Sequence, residues 1–544
     1  MRLSTKHPNQ QTVSLRDFSG GLNTTDAIEA IAQNELGSAL NVCLDKSTGM
    51  LRTVDGTNTL LVDNDMEFNC IMVDPWSKVV LVTTTNGTVC KVSKWQDNVS
   101  IISNDTEYAV GDWAEDGKIV DVDNKRYAID VTTLAHVGSL SGIKSPTYTT
   151  WEDGLLIASG AKLQYYHDNL LETISASPNV CNGVFVRDGR VWVWHDDRIR
   201  MSRIGDEQDW THDNNDDSSA QYVDIGYKDR GNIEGVAVLS ADVVVFKDNG
   251  HAYHIVGQYP DWTVKSVGRQ LGIKNYECCL AVGNSVLVLG DGKLQQVETT
   301  EDYGEMKAAT LSGKVEVEVR QLGKDSRMRY LPTLNEVWFI DNKAENQAAD
   351  FLVLDASRGA FFHRRYNSVT RDAASLGDET YVLKEHNLSM ISHDNMMRDE
   401  EVPMEWEIRP MSMSSYNQFL VKHIYVDTTP FFDTYCDHRI YVGDVQMRGS
   451  LPPTARGVWH NYGTLCGDQR YIVEPWSALV LTDTSEDVYK NDEHLWKKRN
   501  YVRPTKCYRA ETRCVDRRRT IPIRIRGQGG VMLLNQIAFD YAEV

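Results

Sequence analysis

The sequence predicts an all-β fold centred on a β-propeller, and three observations point there. From about Cys70 to about Asp394 the chain repeats one theme: a β-branched or aromatic run, a turn of Gly, Asp or Asn, then a second run. The copies begin roughly 30 to 55 residues apart, close to the length of one four-stranded blade. Helix signals are scarce, and the best of them falls ahead of the first copy, in AIEAIAQNELGSALNVCL from Ala27 to Leu44.

Taken in order, residues 1–60 are expected to be an N-terminal docking segment holding one or two short helices, with Leu36, Leu40 and Cys43 on an i, i+4, i+7 face. The repeated copies start with CIMVDP at 70, DGKIVD at 116, PTYTTW at 146, VCNGVF at 180, NIEGVA at 232, YECCLA at 276, LPTLNE at 331 and SLGDET at 375. Each is apolar on both faces, as in Val243, Val244, Val245 and Phe246 followed by Tyr253, His254, Ile255 and Val256. One hairpin cannot bury two faces, whereas sheets stacked around an axis can, so residues 61–400 are expected to form a propeller. A series of β-sandwiches would show the same strand spacing. Beyond Glu400 the strands lengthen (MEWEIRPMS at 404, FLVKHIYVDTT at 419, RIYVGDV at 439, IPIRIRG at 521, VMLLNQIAFDYAEV at 531), which predicts a sandwich-like C-terminal β domain over 401–544. Gly527 to Gly530 is expected to be the hairpin turn between its last two strands.

With 544 residues, the chain is long enough for several domains, and 57 Lys and Arg against 77 Asp and Glu leave a net charge of −20. Such a surface repels phosphate and argues against sequence-specific DNA binding. The polar start MRLSTKHPNQQTVS has no apolar leader core, and no apolar run reaches membrane-spanning length, so neither secretion nor membrane insertion is expected. The ten cysteines follow no framework spacing and are read as free, mostly buried thiols of a reducing compartment.

Catalytic signatures are missing: no Gly-x-Ser-x-Gly, no His-Glu-x-x-His, no phosphate-binding loop ending in Gly-Lys-Ser/Thr, and no Cys-x-x-Cys. No enzyme activity, cofactor or metal is expected. His251 and His254 are three apart, which places them on opposite faces of a strand and speaks against a shared metal. Asp213, Asn214, Asn215, Asp216 and Asp217 form an oxygen-rich run but have no EF-hand spacing, and a solvated loop is the simpler account. Asp196 and Asp197 beside Trp194 are either an acid/base or glycan-binding pair or, more simply, blade-end turn residues. From Lys497 to Arg526 there are twelve basic residues against two acidic ones, a net of +10 that leaves −30 elsewhere. Arg513, Arg517, Arg518, Arg519, Arg524 and Arg526 are the candidates for docking an acidic neighbour, with contact to DNA the alternative.

Two stretches carry a family resemblance. Asp17-Phe18-Ser19-Gly20-Gly21-Leu22-Asn23, then Asn34-Glu35, Asn41, Gly49-Met50-Leu51-Arg52 and Gly56, resembles the opening of bacteriophage tail nozzle proteins of the tail tubular protein B kind. Arg200-Met201-Ser202-Arg203-Ile204-Gly205-Asp206 with Trp210, then Ile233, Val245-Phe246, Tyr253, Ile255, Gly257 and Gly272, is similar to the propeller portion of the same family. The resemblance implies a virion structural protein, assembled in the host cytoplasm and located in the tail. It would act as a homo-hexameric ring below the head–tail adaptor, carrying fibres or spikes and passing double-stranded DNA transiently, with no catalytic residue. A carbohydrate-active or host-surface-binding propeller is the alternative.

Overall fold

The computed structural model describes residues 10–94 except 28–29 and 46–47, residues 132–391 except 240–241, 258–260, 300–305 and 342–349, and elsewhere chiefly the backbone of strands. The chain forms two compact units, one of residues 59–349 and 368–390, the other of residues 1–58, 350–367 and 391–544.

The first unit is a propeller. Its blades open on the strands Phe68–Asp74, Thr147–Trp151, Gly183–Arg187, Ile233–Val238, Cys279–Val282, Ser326–Leu331 and Thr370–Leu376. Six of these seven begin four-stranded antiparallel sheets, and the sixth in order contributes the hairpin Ser326–Leu331 with Glu336–Asp341. The strand second from the axis is the most apolar in each blade, as in Gly154–Ala158, Val243–Lys247 and Ser285–Gly290, where every residue is buried. This matches a strand covered on both faces. Tight turns let the strands fold back at once: Asp168–Asn169 and Asp188–Gly189 hold positive φ at both central positions, the geometry that fits the twist of a hairpin.

Apolar clusters fill the space between successive blades. Leu81 and Val89 meet Leu155 and Ile157; Leu156 and Tyr165 meet Val184 and Val193; Trp192 and Ile199 meet Val243 and Ile255; Val244 and Phe246 meet Val286 and Val297. Each such side chain, fully buried, contributes about 1.5–3 kcal/mol. The ring closes where Ile71 and Val82 pack on Tyr381 and Leu383. The strand Thr57–Val62, which precedes the first blade in sequence, forms the outer strand of the seventh. The copy at 116 is not a blade. Its strands Gly117–Val122 and Lys125–Ile129 form a separate small sheet, inserted between Thr88–Lys94 and Thr132–Ser139, which pair with each other in blade one.

In the second unit the N-terminal segment corrects the sequence expectation. Glu35–Leu40 and Val42–Leu44 are strands, and no helix occurs among the described residues of this segment. Leu36, Ala39, Leu40, Val42 and Leu44 are all buried, so sheet partners on both sides overrode a weak helical periodicity. Glu35–Leu40 lies between Ala360–Arg364 and Pro403–Ile408 in a sheet that continues through Ile523–Gln528, Asp437–Val442 and Val445–Ser450. At Asn41 the chain takes a left-handed conformation, φ 53°, and Val42–Leu44 enters a different sheet with Leu51–Thr53, Val531–Glu543, Phe419–Phe431 and Tyr508–Arg518. The Asn41 side chain pins this corner, accepting from the Arg365 N–H (2.8 Å) and donating to the Arg365 carbonyl (3.1 Å). The strands on either side of Gly527–Gly530 belong to these two sheets and do not pair with each other. That segment therefore joins sheets instead of closing a hairpin, contrary to expectation.

Candidate functional site

The centre of the propeller holds the densest polar chemistry. Arg327 and Arg329, at alternate positions of an innermost strand, meet Glu277 from blade five and Asp372 from blade seven: Arg327 Nε lies 3.0 Å from Glu277, and Arg329 Nε lies 2.7 Å from Asp372. Arg327 also donates to Asn69 Oδ1 of blade one (2.7 Å) and to Ser145 Oγ at the entry to blade two (3.0 Å). The Tyr276 hydroxyl donates to the Ser145 carbonyl at 2.7 Å, a bond between segments that are not neighbours around the ring. Five of the seven blades thus meet within hydrogen-bond distance across the middle, and the axis is filled at this level.

Burial alone would raise the Asp372 carboxyl, but Arg329 and then Arg327 outweigh it and hold its pKa below the usual carboxylate value. Burial would likewise lower Arg329, while Asp372 and Glu277 hold it well above the ordinary guanidinium value. Cys70, beside this group, has its thiol pushed up chiefly by burial. Two cations and two carboxylates balance, so the cluster holds the ring together without offering a free charge.

Blade three carries an open cleft of about 490 Å³, bounded by the segment 176–180 and by His195, Arg200, Trp210, His212, Gln221 and Tyr222. The long loop after Arg198–Met201 shapes it. Arg203 clamps this loop by pairing with Asp209 (3.4 Å) and Asp216 (2.7 Å). Arg190, 0% exposed, donates to the carbonyls of Ser202 (2.8 Å) and Asp217 (2.7 Å). Trp210 Nε1 is tied to the Glu207 carbonyl at 2.8 Å, and the ring nitrogens of His212 lie 2.7 Å from the Ala220 carbonyl and 2.9 Å from Asn214 Oδ1.

The remaining sequence candidates take structural places. Asp196 and Asp197 form the turn between Arg190–His195 and Arg198–Met201, where their carbonyls accept from Ile233 and Ile225 N–H groups. The oxygens of the 213–217 run serve Arg203, Ser218 and neighbouring backbone N–H groups. His251 and His254 turn to different carboxylates, Asp229 at 3.5 Å and Asp242 at 3.1 Å. Among the described residues no group of three or more His, Cys, Asp or Glu is disposed to hold a metal. Cys70, Cys90, Cys181, Cys278 and Cys279 are buried free thiols and Cys43 is half-buried. The side chains of Cys436, Cys466, Cys507 and Cys514 lie outside the described residues.

The basic candidates divide between two sheets. Arg513, Arg517 and Arg518 stand in Tyr508–Arg518, at register positions opposite His423, Leu420 and Phe419. Arg524 and Arg526 stand in Ile523–Gln528, opposite Glu407 and Glu405, so these two have acidic register neighbours within their own sheet. Arg519 lies outside the described residues.

No protein-family model matches the chain, and no curated protein matches it. Solved structures with a similar fold include BamB from Moraxella catarrhalis, with a TM-score of 0.36 at 9% identity over 70% of this chain and 97% of that one. The WD40 beta propeller domain of Doa1 gives 0.36 at 10% identity, over 62% and 97% of the two chains. The RRP9 WD40 repeats give 0.38 at 8% identity, over 62% and 99%. These likenesses concern the fold class alone.

Sequence reasoning missed the axial cluster and the cleft. The pattern Ser-Arg-Met-Arg-Tyr-Leu at 326–331 held the signal for the first, since two arginines on one face of a strand inside an apolar repeat need buried carboxylates. The cleft left no local signal, because its walls come from separate segments.

Proposed function

We propose that the chain is a structural subunit of a short-tailed bacteriophage tail. In this role it is a nozzle protein that forms a homo-hexameric ring or tube, docks on the head–tail adaptor, carries fibres or spikes and conducts or gates DNA during ejection. It is assembled in the host cytoplasm, resides in the virion and catalyses no reaction.

The observation that carries this proposal is the pair of stretches resembling nozzle proteins, together with the work those residues do in the fold. Asn23 donates to buried Glu35 at 2.9 Å, Gly20 N–H donates to the Asn34 carbonyl at 3.0 Å, and Glu35 accepts from Ala32 N–H at 2.8 Å. Gly21, at φ 66°, has no room for a side chain, because a Cβ there would stand 2.8 Å from Ala360 Cβ. In blade three, Ser202 Oγ of the second stretch accepts from the Val191 N–H at 3.1 Å, and Arg203 clamps the long loop. The motif residues are therefore determinants of the fold, as a family signature without catalytic residues requires. The filled propeller axis adds support, since a DNA conduit then has to lie between copies and not through one. A net acidic lining forms few phosphate contacts and lets the duplex slide.

Electron microscopy of the purified protein with and without its adaptor tests the proposal. Closed rings of copies, docked coaxially on the adaptor, are the expected result. A protein that stays monomeric with the adaptor, or that cleaves a capsular polysaccharide, overturns it. Charge reversal of Arg517, Arg518 and Arg519 to Glu is expected to weaken ring formation or docking while leaving the melting transition unchanged. Each pair contributes only about 0–1 kcal/mol, but the pairs repeat around the ring. Normal assembly of that variant with altered DNA ejection would assign the segment to the channel.

A further inference from the structure

We propose that the cleft on blade three binds an acidic saccharide, with Arg200 receiving its carboxylate. This stands independently of the nozzle assignment. The first argument is how the arginines of the blade are used. Between Gly183 and Asp224 there are five. Arg187 contacts Asp188 (3.4 Å) and the Gly257 carbonyl (2.7 Å), and Arg190 holds buried carbonyls. Arg198 grips Asp224 through two bonds, and Arg203 bridges Asp209 and Asp216. Arg200 alone forms no hydrogen bond or ion pair among the described residues, and it stands in the wall of the cleft.

The second argument is charge. In a chain with a net charge of −20, the residues lining this cleft include no Asp or Glu. The nearest ionisable sulfur, Cys181, is buried and its pKa is pushed up to about 12, so the thiol is neutral and gives Arg200 no counter-charge. A guanidinium with five donors and no partner is matched by a carboxylate, which it can take bidentately.

The third argument is the rest of the wall. Tyr222 lies opposite Arg200 in register, is 52% exposed, and meets His212 edge-on with ring centroids 6.2 Å apart. Trp210 is fixed by its own hydrogen bond, and Asn179 and Gln221 add amides. His195 Nδ1 is buried with no hydrogen-bond partner. The Trp210 ring and the face of Tyr222 opposite the Arg198 guanidinium, which lies 4.3 Å from that ring, suit the C–H faces of a sugar, with amides for its hydroxyls and Arg200 for its acid. A volume of about 490 Å³ is within the range of small-ligand sites. A polyphosphate would need several cations or a nest of backbone N–H groups, and the wall supplies one arginine.

The test is calorimetric titration of the full chain with a glucuronate trisaccharide, a glucose trisaccharide and inorganic phosphate. Saturable binding of the glucuronate is expected, about tenfold or more tighter than either of the others. Arg200→Gln should lose that preference with an unchanged melting transition, Arg200→Lys should keep part of it, and Trp210→Ala should weaken both sugars. Should the glutamine variant fail to fold, the lysine variant carries the comparison. Equal affinity for acidic and neutral sugars, binding of phosphate as tight as that of glucuronate, absence of saturable binding to the folded protein, or an Arg200 variant with unaltered affinity would each overturn the proposal.

Discussion

Asp372 is 0% exposed, accepts from the Ile71 N–H at 3.0 Å and is paired with Arg329, so its charge is fully committed inside the propeller. Removing one member of such a buried group leaves the others uncompensated, and Asp372→Ala should cost about 3–5 kcal/mol. The pH dependence follows from the sign of the shift. The folded pKa lies below the unfolded value, so this stabilisation is present above the unfolded pKa and is lost as pH falls through the folded one. Denaturant unfolding measured from pH 7 downward should show stability falling below about pH 4, where unfolded aspartate titrates. In Asp372→Asn that component should be missing, and an identical acid slope in both proteins would mean that other carboxylates carry it. Lys247 is likewise buried in blade four, 0% exposed between Asp229 (2.6 Å) and the Ile225 carbonyl (2.7 Å).

Among the elements, Gly183–Arg187 and Arg190–His195 show how a hairpin accommodates a large ring. Gly183 stands opposite Trp194 in register, and a Cβ on it would lie 1.9 Å from the indole Cη2. Trp194 is buried and helps to fill the gap between blades three and four, so the ring cannot simply leave. Gly183→Ala should therefore destabilise by about 1–3 kcal/mol through overpacking, read as a lower denaturant midpoint at unchanged slope. The hairpins were readable in the sequence because turn chemistry is local: Asp-Gly at 188–189 and Asp-Asn at 168–169 tolerate positive φ. The segment 35–44 was not readable in the same way. Its apolar spacing fits a helical face as well as a strand, and only the neighbouring strands decide between them.

For the propeller as a whole, closure rests on a strand taken from before the first blade. Thr57–Val62 completes blade seven, and Leu60 and Leu61 pack against the cluster of Tyr381, Leu383 and Leu388 that joins it to blade one. Replacing both leucines with serine should free this strand and raise amide hydrogen exchange across 379–391, while blades three and four keep their protection. Uniform loss of protection around the ring would show instead that the blades open as one cooperative unit. The same closure explains why blade number could not be read from the repeats. The copy at 116 has the texture of a blade but leaves the ring as an insertion, and the last blade borrows a strand from residues 57–62.

The all-β class, the hairpin repeat, the positions of the C-terminal strands and the turn role open to Asp196 and Asp197 are legible in the local sequence. Each of these depends on side-chain alternation and turn chemistry within a few residues. The sequence also showed a basic segment in which Arg524 and Arg526 alternate with Ile523 and Ile525. Tertiary structure alone decided that Arg524 and Arg526 lie opposite Glu407 and Glu405, while Arg513, Arg517 and Arg518 belong to another sheet. It alone brought Asn69, Ser145, Glu277, Arg327 and Asp372 into one cluster and left Arg200 without a partner among the described residues, in a cleft whose lining includes no Asp or Glu. The physical reason is range: strand period and turn type are properties of neighbouring residues, whereas charge pairing and cavity shape depend on which distant segments the sheets bring together.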